Sequence, residues 1–234
     1  MNQTEITEKK IMKQLSIILI LALMVSSAVQ ADGLFGLFKD RVKGSGDITS
    51  ESRDISEFER IKSTGSFDIY VDVGPEPSLT ITFDDNLIEL IETDVSGKTL
   101  YIDSDASFRS KYNCKIEITV PSLEYVKLSG SGDVVVNNLK AEFFEYAVSG
   151  SGDLSASGEV KELELTISGS GDIDVRELKA EDVYAKISGS GDIKLYASNL
   201  LDGHISGSGD ITYYGNPKHV DRMISGSGSM RKKR

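Results

Sequence analysis

The chain has 234 residues, with 37 acidic against 26 basic side chains, two histidines, one cysteine and no tryptophan. A surface this acidic repels phosphate backbones and anionic lipid, which argues against nucleic acid as a partner. A single cysteine forbids an internal disulfide, so core packing and strand pairing must hold the fold together.

Residues 1–31 read as a secretory signal peptide. Lys9, Lys10 and Lys13 precede an apolar run from Leu15 to Val25, which leads into Ser26-Ser27-Ala28-Val29-Gln30-Ala31. A basic start, a short apolar centre and small residues at the end are the marks of such a segment. The run is about a dozen residues, shorter than the roughly 20 a spanning helix needs; an uncleaved anchor is the alternative. Cleavage is expected after Ala31, with Ala28 as second choice. No cysteine stands at the end of the run, which argues against a lipoprotein. The expectation is an exported protein, periplasmic or extracellular, with no membrane span after cleavage. Without residues 1–31 it keeps 23 basic and 35 acidic side chains. Residues 32–44 read as a linker, and Gly44-Ser45-Gly46-Asp47 is a short echo of the motif described below.

From 45 to 128 the chain is β-rich but irregular. Phe58 to Ile61, Ser66 to Val73, Leu79 to Phe83, Thr99 to Asp103 and Ile116 to Val120 alternate apolar and polar residues, the pattern of half-buried strands. Breaks fall at Gly74-Pro75, Asp84-Asp85-Asn86, Ser96-Gly97 and Pro121. Leu87 to Thr93 suits a helical turn or more that caps the open end of a stack. Cys114 stands at the edge of an alternating strand and is expected to be a small buried residue rather than a reactive thiol.

Residues 129–229 are built from one repeat. Ser-Gly-Ser-Gly-Asp occurs at Ser129–Asp133, Ser149–Asp153, Ser168–Asp172, Ser188–Asp192 and Ser206–Asp210, and a sixth copy, Ser225–Ser229, ends in serine. The steps are 20, 19, 20, 18 and 19 residues. Leu128, Val148, Ile167, Ile187, Ile205 and Ile224 stand just before the copies; Val134, Leu154, Ile173, Ile193, Ile211 and Met230 stand just after. Apolar residues recur every second position on both flanks, so the flanks are strands with one face buried. A helix would carry two glycines per unit, at about 1 kcal/mol each. The pattern predicts an all-β fold, a right-handed parallel β-helix (solenoid) with rungs of about 19 residues. Each rung pairs with the equivalent strand one coil on, about 4.8 Å away. The glycines either face inward with the isoleucines, leaving room inside the coil, or sit at a tight bend needing positive φ; the inward column is preferred. The tail 230–234, Met-Arg-Lys-Lys-Arg, is expected to fray as a solvated basic end.

Taken together, the signal peptide, Phe58-Glu59-Arg60-Ile61, Asp84-Asp85-Asn86-Leu87, Leu100-Tyr101-Ile102, Val120-Pro121-Ser122-Leu123 and the serial motif resemble the head GIN domain family of autotransporter adhesins. The resemblance covers 45–229 and implies a secreted or envelope β-helix with no established enzyme activity. A large translocating barrel segment is missing from this sequence.

The chemistry on offer is sparse. His204 occupies an outward slot that other rungs fill with Lys127, Ala147, Thr166, Lys186 and Met223, and His219 lies in a connection after Pro217. Neither is placed like a catalytic base. Asp133, Asp153, Asp172, Asp192 and Asp210 are expected to stand one above another. At a separation near 4.8 Å, neighbouring charges repel by about 0.9 kcal/mol at the dielectric of water. Exposed, such a column is tolerable as a structural ladder; half-buried, it would call for a cation such as Ca2+. A polysaccharide-cleaving enzyme needs carboxylates singled out in a groove, whereas these are spread evenly. Tyr184, Tyr196, Tyr213 and Tyr214 offer at most a partial sugar platform. The expected function is therefore a non-catalytic, adhesin-like or structural module; its partner is left open, with a surface glycan and an envelope protein as the classes considered. A calcium-binding repeat is the alternative, and the enzyme the more distant one.

Overall fold

A computed structural model describes residues 41–234. The expected signal peptide, 1–31, and residues 32–40 of the linker lie outside the described residues. The irregular portion forms β1 (Val42–Lys43), β2 (Ile48–Ser52), β3 (Arg60–Gly65), β4 (Phe67–Val73) and β5 (Ser78–Asp84). A 3-10 turn at Ile88–Leu90 follows, then β6 (Ile91–Ser96), β7 (Thr99–Ser104), β8 (Phe108–Arg109), β9 (Cys114–Val120) and β10 (Tyr125–Gly130). The repeats form β11 (Val134–Gly150), β12 (Leu154–Gly169), β13 (Ile173–Gly189), β14 (Ile193–Gly207), β15 (Ile211–Tyr214), β16 (His219–Gly226) and β17 (Met230–Lys232).

These strands stack in parallel as a β-solenoid. Leu128 pairs with Val148, Val148 with Ile167, Ile167 with Ile187, Ile187 with Ile205 and Ile205 with Ile224. The expected aliphatic file is therefore real, and Leu128 through Ile205 are buried along it. A second file runs Val134, Leu154, Ile173, Ile193, Ile211, Met230. Each fully buried aliphatic side chain contributes roughly 1.5–3 kcal/mol, and each is covered only because a rung lies on either side. Strands β11 to β14 each carry most of a rung, and shifts in register at Val136/Leu139 and Ser155/Ser157 mark where they turn a corner. Asn138 takes a left-handed conformation there, φ 58°, and its side-chain amide donates to Asp72 Oδ1 at 2.6 Å.

At the N-terminal end, spatial order departs from chain order. β3 lies between β7 and β10, and β4 between β9 and β11. The rung over 60–73 is thus sandwiched between one built from 99–120 and one that begins at 125. The stack is closed there by antiparallel pairs, β6 with β7 and β5 with both β9 and β2. Leu87, Ile88 and Ile91 are buried beneath them, so the segment expected to cap the stack does so, with a single 3-10 turn.

The short echo at 44–47 serves a loop: the Gly46 N–H donates to Asp84 Oδ1 at 2.7 Å and Ser45 Oγ to Asp85 Oδ1 at 2.5 Å, clasping the loop after β5. One expectation changes. The tail does not fray at its start, because Met230–Lys232 pairs with β15 and Met230 is buried. Its side chain closes over Gly203, where an added Cβ would lie 2.8 Å from the Met230 sulfur.

Candidate functional site

The Ser-Gly-Ser-Gly-Asp units lie at the bend that ends one strand and starts the next, and they stack into a rib along the outside. Backbone pairing accounts for much of it. Ser170 N–H donates to the Gly150 carbonyl at 2.9 Å, Ser190 to Gly169 at 2.9 Å and Ser208 to Gly189 at 2.9 Å. After each aspartate the direction reverses: Leu154 N–H donates to the Asp172 carbonyl at 2.9 Å and Ile173 to Asp192 at 2.8 Å.

The aspartate side chains fill the remaining gap. Asp153 N–H donates to Asp133 Oδ1 at 3.1 Å, Asp172 to Asp153 at 2.7 Å, Asp192 to Asp172 at 2.8 Å and Asp210 to Asp192 at 2.7 Å. Each carboxylate therefore serves as the acceptor for the next aspartate's amide, a charge-assisted bond that satisfies a donor left over by the bend. The five predicted residues come together as the stacked column that was expected. Asp133, Asp153, Asp172 and Asp192 are exposed and Asp210 is half-buried.

The column also has two ends that the sequence motif hides. Below Asp133, its amide faces Asp68 Oδ1 at 3.2 Å, and the Asp68 Oδ2 accepts from Asn113 at 2.8 Å. Asp68 closes Thr64-Gly65-Ser66-Phe67-Asp68, a first copy with two of five residues changed, paired to Ser129 and Gly130 through Thr64 and Gly65. Phe67 stands where later copies have their second glycine, and its buried ring lies 2.9 Å from where a Gly65 Cβ would be. Above Asp210, Ser229 N–H and Oγ donate to Oδ1 at 2.7 and 2.8 Å, and Arg231 donates to Oδ2 at 2.5 Å. The Ser229 bonds, aided by the Arg231 charge, hold the Asp210 carboxyl below its usual range.

The glycines divide between the two expected roles. The second of each unit, Gly132, Gly152, Gly171, Gly191 and Gly209, is buried. The first takes positive φ, from 138° to 155° at Gly150, Gly169, Gly189, Gly207 and Gly226. Neither leaves room for a large side chain across the coil. A Cβ on Gly169 would lie 2.1 Å from the Gly150 carbonyl oxygen, and one on Gly171 2.1 Å from that of Gly152. Glycine is required because adjacent rungs approach backbone to backbone.

The sequence pattern of the family described as "putative auto-transporter adhesin, head GIN domain" matches residues 57–217. The chain belongs to this family. No curated protein matches it. Among solved structures, a protein from Bacteroides fragilis described as a "putative adhesin" is 25% identical with a TM-score of 0.68, over 82% of this chain and 100% of that one. A protein from Parabacteroides distasonis described as lipid-binding is 25% identical, TM-score 0.57, over 83% and 100%. A protein from Parabacteroides merdae described as a "putative adhesin" is 22% identical, TM-score 0.57, over 83% and 100%, a likeness of fold.

Other candidate residues of this head GIN domain lie apart from one another. His204 is exposed on its strand, its Nε2 3.1 Å from Asp202 Oδ1, and His219 is exposed on β16. Tyr184 is exposed, but Tyr196 and Tyr214, paired on neighbouring rungs, carry Lys179 and Arg176 over their rings at 4.2 and 5.7 Å. Tyr213 is half-buried and packs against the core. The four tyrosines form no common platform. Cys114 is buried at the Phe67 level, and burial, with the Asp68 charge, pushes its thiol up to about 12. Among the described residues no group of three or more His, Cys, Asp or Glu side chains is arranged to hold a metal ion. No described helix is long and apolar enough to cross a membrane.

Proposed function

We propose that this chain is an exported, non-catalytic, adhesin-like module that presents its serine–aspartate rib to a surface glycan. One observation carries the reading: the serines of the rib stand exposed in two vertical columns, Ser149 to Ser225 and Ser131 to Ser227, beside the aspartates. A ligand that itself repeats meets the same hydroxyl and carboxylate set at every rung, so weak hydrogen bonds add along its length. An envelope protein is the other partner class, and it would not need this periodicity. The family description and the signal-peptide pattern support export, to the periplasm or beyond the cell.

The calcium reading draws on the same five aspartates. Their Oδ1 atoms are already engaged by backbone amides, which supports the structural ladder over a cation column. The polysaccharide-cleaving reading needs two carboxylates set apart from the rest, and the aspartates repeat alike from rung to rung.

The test is a glycan array probed with the full chain and with Ser170→Lys/Ser190→Lys. Binding to an extended glycan that the double variant loses supports the proposal. If neither arrayed glycans nor immobilised envelope proteins retain the wild-type chain, the binding role falls and a structural one is left.

A further inference from the structure

We propose that the solenoid docks head to tail with a second copy of itself, the basic C-terminal edge of one against the acidic N-terminal edge of the next. The strand wall that precedes the rib runs β6, β7, β3, β10, β11, β12, β13, β14, β16. Its two outermost strands pair on one side alone among the described residues: β6 with β7 and β16 with β14. Strand β16 therefore offers a row of unpaired backbone groups, the usual template for adding a strand; on β6 Arg53 already donates to the Ile91 carbonyl, so the open edge begins beyond it.

The C-terminal edge is also apolar where the core runs out. Phe144, Leu163, Val183 and Leu201 are fully buried, but Val220, next in that file, is 41% exposed. Ile224 ends its file at 40%, after a series at 2% or less. A further rung would cover both.

Charge selects what that rung is. Residues 218–234 hold six lysines and arginines against one acid, Asp221, whereas 41–217 hold 16 basic and 32 acidic residues. Two C-terminal edges would repel, which disfavours a closed two-fold dimer. The N-terminal edge is complementary, with Glu89, Glu92, Asp94, Asp103 and Asp105 exposed on or beside β6. The Asp105 carboxyl beside it, with the charges of Asp94 and Asp103, pushes the Glu92 carboxyl above its usual range, so this end gains from an incoming cation. Strand β6 also keeps Val95 half-buried, packed on the core. Because the surfaces are different, the contact is heterologous and propagates rather than closes.

The experiment is sedimentation equilibrium of the full chain across concentration at low and high salt, with charge reversals at each end. Association should be seen at low salt and weaken as the Debye length shrinks to about 3 Å near 1 M salt. Lys233→Glu/Arg234→Glu and Glu92→Lys/Asp94→Lys, all exposed, should each weaken it by about tenfold or more. A chain carrying all four changes should associate again, since the exchanged positions are once more opposite in charge while each end keeps its net sign. A monomer at every concentration, single-end variants that associate like wild type, or a four-fold variant that stays apart each overturns the proposal. Binding of the wild-type monomer to vesicles of anionic phospholipid, without self-association, also overturns it and assigns the basic edge to a lipid surface.

Discussion

The backbone N–H of Asp192 donates to Oδ1 of Asp172 at 2.8 Å, so one aspartate's side chain completes the next one's main chain. Two substitutions separate the acceptor from the charge. Asp172→Asn keeps an acceptor and removes a charge from between two like neighbours, whose repulsion is about 0.9 kcal/mol per neighbour at the dielectric of water. Urea unfolding should find it neutral or slightly stabilised. Asp172→Ala removes the acceptor and should lose about 1–2 kcal/mol. Equal losses for both would show that the carboxylate charge, not the amide bond, is what matters.

Glycine at the rib answers to backbone contact. Gly169→Ala and Gly171→Ala each drive a Cβ to 2.1 Å from a neighbouring carbonyl oxygen, and should destabilise by about 3 kcal/mol or fail to fold. Ser170→Ala, exposed between them, should stay within about 0.5 kcal/mol of wild type. Thermal melts of the three give the comparison, and a silent Gly169→Ala would mean the rungs stand further apart.

Acid should act at the top of the column. The folded-state pKa of Asp210 lies below its ordinary value, first through the Ser229 hydroxyl bond. Its carboxylate therefore contributes fully above the unfolded value, near pH 3.9, and the contribution is lost as pH falls through the lower folded value. Asp210→Asn should be less stable than wild type at pH 6, and the gap in Tm should narrow as pH drops below about 4. A gap independent of pH would refute this role for the charge.

Cys114 should resist thiol reagents in the folded protein. Burial pushes its pKa up to about 12, and the thiolate is the reactive form. Labelling with a chromogenic disulfide should wait for denaturant and then reach one thiol per chain; rapid labelling without denaturant would contradict the buried placement.

Chelation tests the ladder against a cation column. With the Oδ1 atoms already occupied by amides, EDTA should leave Tm unchanged and added calcium should not raise it. A fall in Tm with EDTA that calcium reverses would favour the ion.

The repeat was legible in the sequence because every rung sits in the same environment, so the same residues recur at Leu128, Val148, Ile167, Ile187 and Ile205. The first rung was not, because it lies against a different neighbour. Phe67 replaces glycine where the stack meets β9, and Thr64 replaces serine, which leaves Asp68 unmarked until its bonds to Asp133 and Asn113 are seen. The reverse case is Gly44 to Asp47, where the same letters serve a clasp on Asp84 and Asp85. Local spelling does not tell a rung from a loop; the pairing partner does.

Periodicity alone determined that this chain is a stack of parallel coils with aliphatic files inside and serine and aspartate outside, since only stacking buries a face repeated every second residue. Tertiary structure decided what no local pattern encodes: that 60–73 inserts between later rungs, that each glycine of the rib faces a neighbouring carbonyl, and that the two ends differ. Those outcomes depend on which backbone groups meet across tens of residues, and that choice is made by the whole core at once.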